Sequence, residues 1–374
     1  MIGLDERASP EERLEVLLRP YRDLSNTHME AIWNEYAAEH PESRWPSTKT
    51  LRRNARLFFA GKRYRFVLAV AGHRLLTGEP TSADLARAAT WLEWYHLYTL
   101  FLDDIMDEDI RRRTMTSAWA ANAALYRGLD ADRPAVVFRT RRHRYGASQA
   151  ILDALRIRSL AERAIEGART LEDRVRLKLL AELTEVDLVL SDGQGLDIDF
   201  ERAVRLAEAE YVAMSEAKTA RLYLGAANTA AIVARATDVE REALGAYARR
   251  FAIAFQDRDD LLGSAVVASR IGGSAEGDIR HGKRTRLYAI AAERLRGKDR
   301  AAFLDAYGRG PRTTARDVAT VRALLREHVL PIVESRIDEN LRLARKALDS
   351  IEARDPEARS LLVGLLEAQR TRVR

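Results

Sequence analysis

The chain has 374 residues, 47% hydrophobic and 32% charged, with a formal net charge of +6 and no cysteine. That balance suits a soluble globular chain with ample material for a core, and the missing thiols exclude disulfides, thiolate metal centres and a cysteine nucleophile. No apolar run reaches the roughly 18 residues of a membrane span and the first residues lack a secretory apolar region, so the cytoplasm is the expected compartment.

Glycine (20) and proline (9) are sparse, and apolar residues recur at i, i+3, i+4 and i+7 along most of the chain. This spacing predicts helices, as over 212–233, 243–262 and 321–348, while alternating strand patterns of useful length are absent. We expect about ten to fourteen helices, broken near Pro20, Pro41–Pro46, Gly78–Pro80, Leu129–Pro134, Leu196–Phe200, Gly272–Gly282 and Gly308–Pro311. With no long linker and no fixed-period repeat, the expectation is all-α: one large helical bundle, a single domain over 1–374, with its site in the core.

In chain order, the first cations of interest are Lys62 and Arg65 in Gly61-Lys-Arg-Tyr-Arg. A long apolar helix containing Leu100, Phe101 and Leu102 then runs into Asp103, Asp104 and Asp107. Asp103 and Asp107 are four residues apart, about 40° from alignment, so they share one face. Two carboxylates stacked this way suit Mg²⁺, a hard cation that leaves positions for water and substrate phosphate. A solvated acidic helix end has the same residues, but the apolar run before Asp103 places the carboxylates at the edge of a core, where unpaired charge is costly. Arg112 and Arg113 follow within two turns, positioned to grip phosphate oxygens.

The stretch from about 128 to 146 is rich in proline and arginine. Its basic run, Arg139, Arg141, Arg142, His143 and Arg144, reads as a solvated loop or helix end rather than a nucleic-acid patch. Lys218 lies in a helix of small and apolar residues, a setting equally compatible with a solvated lysine and a buried phosphate ligand. A second acidic segment, Asp257 with Asp259 and Asp260, ends the apolar helix that begins near Ala243. Two helices delivering such pairs across a bundle would hold several divalent ions around one diphosphate, with Lys62, Arg65, Arg112, Arg113, Lys218 and Lys283 as candidate cations.

Gly61-Lys62-Arg63-Tyr64-Arg65, the helix with Glu93 and His96, Asp103–Asp107, Arg112-Arg113, Gly193-Gln194-x-x-Asp197, Lys218-Thr219, Gln256-x-x-Asp259-Asp260 and Gly282-Lys283 occur in a familiar order. Over roughly residues 55–290 the chain resembles the trans-isoprenyl diphosphate synthases, farnesyl and geranylgeranyl diphosphate synthases above all. The resemblance implies that Asp103, Asp107 and Asp259 bind three Mg²⁺ ions that clamp an allylic diphosphate also contacted by Arg112, Lys218 and Lys283. It implies that Lys62, Arg65, His96 and Arg113 hold the diphosphate of isopentenyl diphosphate, and that Thr219 and Gln256 lie beside the reacting carbons. Asp197 would help line the allylic pocket. In such a reaction the allylic diphosphate ionises in a sealed pocket, the second substrate attacks the cation, and the departing diphosphate takes the proton. A homodimer is implied as well.

Product length in that family is set by side chains one turn or more before the first acidic segment. Here Thr99 is small and Tyr98, one step deeper, is bulky, which favours a geranylgeranyl over a farnesyl product. Two departures stand out: Gly263 where the family commonly has a third Asp, and Gly273 where many members have a lysine. They leave open a terpene cyclase-like relative or a catalytically silent partner of another synthase. Retention of Lys62, Arg65, His96 and Arg113 weighs against the first, and intact Asp103, Asp104, Asp107 and Asp259 against the second.

Overall fold

A computed structural model describes residues 10–54, 57, 59, 61–112, 115–203, 205–267 and 276–372. Its helices are α1 (Pro10–Glu39), α2 (Pro46–Arg53), α3 (Tyr64–Thr77), α4 (Ala83–Ala89), α5 (Trp91–Met106), α6 (Ala118–Ala123), α7 (Arg141–Glu166), α8 (Asp173–Glu201) and α9 (Glu208–Ser215). They continue as α10 (Arg221–Ala234), α11 (Asp238–Gly263), α12 (Gly277–His281), α13 (Arg286–Arg294), α14 (Gly297–Ala306), α15 (Ala315–His328), α16 (Leu330–Asp349) and α17 (Pro356–Thr371). Among the described residues the only strands are β1 (Arg111–Arg112) and β2 (Met115–Thr116), an antiparallel pair with Arg112 opposite Met115. The fold is all-α, as expected, and no helix among the described residues is long and apolar enough to cross a membrane.

The described helices outnumber the expectation because short ones such as α2, α4 and α6 form between the expected breaks, and α12 forms inside one, Gly272–Gly282. Two expected breaks do not occur. Pro20 lies inside α1, where an interior proline costs about 3 kcal/mol. The buried stripe of Leu14, Leu18, Met29, Ile32, Trp33 and Tyr36 holds that helix together regardless. Leu196–Phe200 falls within α8, which ends only at Glu201.

The chain divides into two compact units. One comprises residues 1–17, 71–79 and 181–374, the other 18–70 and 80–180. In the first, α11 packs along α16 and α10. A capping box starts α11: the Thr237 hydroxyl accepts from Glu240 N–H at 3.3 Å while Glu240 accepts from Thr237 N–H at 2.9 Å. Its buried face carries Leu244, Tyr247, Phe251 and Leu261, with Phe251 stacked on Tyr247 and edge-on to Tyr223. This apolar anchorage delivers the last turn of α11, with its carboxylates, to one fixed place.

In the second unit α5 packs on α7, and α6 on α7. Trp91, Leu92, Trp94, Tyr95 and Phe101 of α5 are all at most 1% exposed. Full burial of a side chain such as Leu92 or Phe101 contributes roughly 1.5–3 kcal/mol, so α5 is firmly seated before it reaches its acidic end. Arg141 and Arg142, opening α7, pair with Asp130 and Asp132 at a solvent-exposed helix end.

Candidate active site

In the first unit, the last turns of α11 present three carboxylates with different fates. Asp257 is buried against the Arg286 guanidinium at 2.6 Å, and Arg286 also donates to Glu208. Asp260 is 4% exposed and accepts from the Tyr211 hydroxyl at 2.6 Å, the Gln256 amide at 3.0 Å and the Arg286 N–H at 3.2 Å. Burial pushes the Asp260 carboxyl up to about 6 although these donors favour the anion. Burial next to Asp260 also holds the Tyr211 phenol well above its ordinary value, so it stays a donor. Asp259, by contrast, is about one-third exposed and faces a cleft of about 200 Å³. The inward pair therefore seats the helix end, and Asp259 is the carboxylate left to act.

The Thr219 hydroxyl donates to Gln256 Oε1 at 2.9 Å, extending the chain of hydrogen bonds from Tyr211 through Asp260 and Gln256. With Gln256 oriented at both ends, the oxygens of Thr219 and Gln256 are held at the cleft wall. Thr219 belongs to a π-helical turn, Glu216–Ala220, between α9 and α10. Such one-turn bulges occur at functional sites because they re-aim side chains. Gly193 in α8 permits it: a Cβ there would lie 2.8 Å from the Ala217 carbonyl carbon and closer still to the Lys218 nitrogen. From this turn Lys218 reaches Asp197 of α8, Nζ to Oδ2 2.5 Å, with about a quarter of its side chain exposed. The structure thus settles on neither extreme for Lys218, a partly buried ammonium paired across a cleft.

Lys283 follows Gly282, whose φ of +74° ends α12 in the left-handed region. Its carbonyl accepts from the Tyr307 hydroxyl at 2.5 Å and its N–H donates to the Asp278 carbonyl at 3.0 Å, so the backbone is fixed beside the cleft. Arg372, just beyond α17, is ion-paired with Asp259 and lies over the Phe255 ring at 3.9 Å.

In the second unit, α5 carries Glu93, His96, Tyr98, Thr99, Asp103 and Asp104, and Asp107 caps it. Glu93 is buried and accepts from Phe66 N–H at 3.1 Å, one of the donors left over in the first turn of α3, and from Arg63 at 3.3 Å. Arg63 has φ +59° and is held by further bonds to Asn26 at 2.9 and 3.0 Å. This network fixes the segment bearing Lys62, which lies over the Tyr64 ring at 5.6 Å, and Arg65. Tyr98 meets Tyr95 edge-on at 5.3 Å, and the Thr99 hydroxyl donates to the His96 carbonyl at 2.8 Å. Asp104 is 2% exposed and paired with Arg112 at 2.6 Å; Asp103 receives the same guanidinium at 3.2 Å. Burial raises the Asp104 carboxyl to about 6, opposed by Arg112. Trp119 donates to the carbonyls of Asp104 and Asp109, closing the loop after α5. Arg113 and Gly273 lie outside the described residues.

The donor set suits Mg²⁺. It consists of carboxylate oxygens, and two of the three candidate ligands already hold a cation: Asp259 holds Arg372, and Asp103 holds Arg112. Among the described residues no group of three His, Asp or Glu side chains is assembled to hold an ion alone. Mg²⁺ ordinarily binds through one or two carboxylates and completes its shell with water and phosphate oxygens. A larger cleft, about 370 Å³, lies in the second unit between Tyr36, Trp45 and Arg156 and contains none of the candidate residues.

Sequence reasoning did not single out Tyr211, Asp278, Arg286, Ser215 or Arg372. The i, i+3 spacing of Asp257 and Asp260 was the available sign that those two share an inward face. Nothing local marked Tyr211 or Arg372.

The model of the polyprenyl synthetase family matches residues 48–325. A geranylgeranyl diphosphate synthase from Methanosarcina mazei is 30% identical over 315 residues, covering 82% of this chain and 87% of that protein. A geranylfarnesyl diphosphate synthase from Aeropyrum pernix is 26% identical over 310 residues, covering 82% of this chain and 89% of its own. Among solved structures, geranylgeranyl pyrophosphate synthase from Corynebacterium glutamicum, complexed with isoprenyl diphosphate and magnesium, superposes with a TM-score of 0.80. It is 25% identical and the match covers 96% of this chain and 99% of that one.

Proposed function

The chain belongs to the polyprenyl synthetase family, and we propose that it condenses an allylic diphosphate with isopentenyl diphosphate into a short-chain all-trans product, geranylgeranyl in preference to farnesyl. The observation that carries this reading is the cleft in which Asp259, Lys218 and Lys283 surround the oriented pair Thr219 and Gln256. Ionising an allylic diphosphate calls for cations, a carboxylate to share a metal and oxygens beside the cation, and Lys218, Lys283, Asp259, Thr219 and Gln256 along one cleft support that reading.

Asp103, Asp107 and Asp259 would hold the Mg²⁺ ions, which when bound neutralise the leaving diphosphate and so favour its departure. Lys218 and Arg112 exchange their present carboxylate partners for phosphate oxygens, and Lys283 adds a third cation, each through a charge-assisted contact. The Thr219 hydroxyl donates to Gln256, so its lone pairs face away from that bond and can stabilise positive charge on the allylic carbons. Lys62, Arg65, His96 and Arg113 bind the second diphosphate, and Asp197 borders the allylic pocket. Tyr98 limits the growing chain. By the same reading the protein works as a cytoplasmic homodimer with no nucleic-acid partner.

Asp103→Ala and Asp259→Ala test the assignment. Each removes charge neutralisation used as the leaving group forms, and should lower turnover by roughly 10²–10³-fold. Near-native turnover with wild-type Mg²⁺ dependence in either variant would overturn it.

A further inference from the structure

None of residues 124–140, which join α6 to α7, lines the cleft at the end of α11. Among the described residues, this loop nevertheless carries the three most exposed large apolar side chains. Leu129 and Val136 are fully exposed and Val137 is 86% exposed, against 73% for Val239, the next. Exposed apolar residues scattered singly are ordinary, but several gathered on one loop mark a binding surface. The same segment is basic: residues 127–144 hold six arginines against two aspartates. Both aspartates are engaged locally. Asp130 pairs with Arg141 and accepts from the Tyr126 hydroxyl at 3.0 Å, and Asp132 pairs with Arg142 at 3.1 Å. Arg127, Arg133, Arg139 and Arg144 are exposed, and among the described residues none of them forms an ion pair.

The loop is also held in shape. Arg141 N–H donates to the Arg133 carbonyl and Arg142 N–H to the Ala131 carbonyl, both at 3.0 Å, closing a neck below the tip at residues 134–139. Ala131 in that neck is buried, and the Tyr126 ring packs on Tyr145 of α7 with centroids 5.4 Å apart. The exposed valines therefore stand on an anchored base. We propose that this loop docks the protein on an anionic lipid bilayer. Leu129, Val136 and Val137 enter the boundary between headgroups and acyl chains, and the four unpaired arginines meet lipid phosphates. An apolar tip with basic flanks is complementary to that surface on both counts. A nucleic acid would engage the arginines and leave the valines in water, and an apolar protein groove would do the reverse. Guanidinium takes phosphate oxygens through paired, charge-assisted bonds, which suits arginine here. Two weak signals acting together give attachment that neither gives alone, and the attachment stays reversible.

The test is flotation of the full chain with vesicles of phosphatidylcholine alone, or of phosphatidylcholine and anionic phosphatidylglycerol in equal parts. Wild-type protein should float with the anionic vesicles at low salt, stay behind with the neutral ones, and be largely released by high salt. R133Q/R139Q should weaken the partition about tenfold or more, and V136S/V137S by a similar factor. All four positions are exposed, so both variants should melt as the wild type does. Wild-type protein that stays behind with the anionic vesicles overturns the proposal. So does V136S/V137S floating as well as wild type, which reduces the contact to electrostatic adsorption. Tighter binding to random-sequence duplex DNA than to the anionic vesicles would also overturn it.

Discussion

The guanidinium of Arg372 is ion-paired with Asp259 and stacked over Phe255, so a cation of the chain itself occupies the carboxylate proposed to hold metal. The arginine side chain is only 9% exposed there, whereas Asp259 keeps about a third of its surface. Magnesium has to replace this partner. Arg372→Ala should therefore lower the Mg²⁺ concentration for half-maximal activity several-fold, since a charge-assisted bond is worth roughly 1.5–3 kcal/mol before solvent screening. An Mg²⁺ requirement equal to that of the wild type would show that the pair does not compete with metal.

Gly193 tests how the π-helical turn is held. Its absent Cβ allows α8 to approach Ala217 and Lys218, whereas nothing lies within 4 Å of a Cβ at Gly195, two residues on. Gly193→Ala should cost roughly 1–3 kcal/mol of stability by overpacking. By shifting Lys218 it should also cut turnover about 100-fold. Gly195→Ala should do neither. Thermal melts and steady-state kinetics on both variants decide the point, and equal effects at the two positions would contradict it.

The acidic helix ends were legible because apolar periodicity on α5 and α11 leads directly into Asp103 and Asp259. Which carboxylates turn inward was less so: Asp257 and Asp260 are defined by Arg286 and Tyr211, partners 29 and 49 positions away. The π-helical turn was invisible because one inserted residue among alanines leaves the apolar pattern of its neighbours almost unchanged. Pro20 misled because a local signal was outweighed by a buried stripe along the whole of α1.

Asp153, buried in α7, receives Asn122 at 3.4 Å and Arg156 at 3.0 Å, yet burial raises its carboxyl to about 6. A folded-state value above the unfolded one means the native protein binds the extra proton. The stability this carboxyl contributes is thus complete below about pH 4 and is lost as pH rises to about 6. Asp153→Asn removes the charge and keeps the shape. It should be more stable than wild type at pH 7, on the order of 1 kcal/mol, with the gap closing toward pH 4. Denaturant melts at the two pH values measure this; a variant less stable at pH 7 would contradict it.

Tyr98 is half-buried on α5, its ring edge-on to Tyr95. If it closes the floor of the allylic pocket, Tyr98→Ala should shift the products to longer chains, read by chromatography after dephosphorylation. An unchanged distribution at good activity would place the floor elsewhere.

The central claim is chain elongation, and the most direct measurement is incubation of the purified protein with dimethylallyl diphosphate, labelled isopentenyl diphosphate and Mg²⁺. The account predicts labelled all-trans prenyl diphosphates, mainly geranylgeranyl diphosphate, and none when Mg²⁺ is chelated. Release of hydrocarbons alone, or no product from folded protein at saturating Mg²⁺, would contradict it.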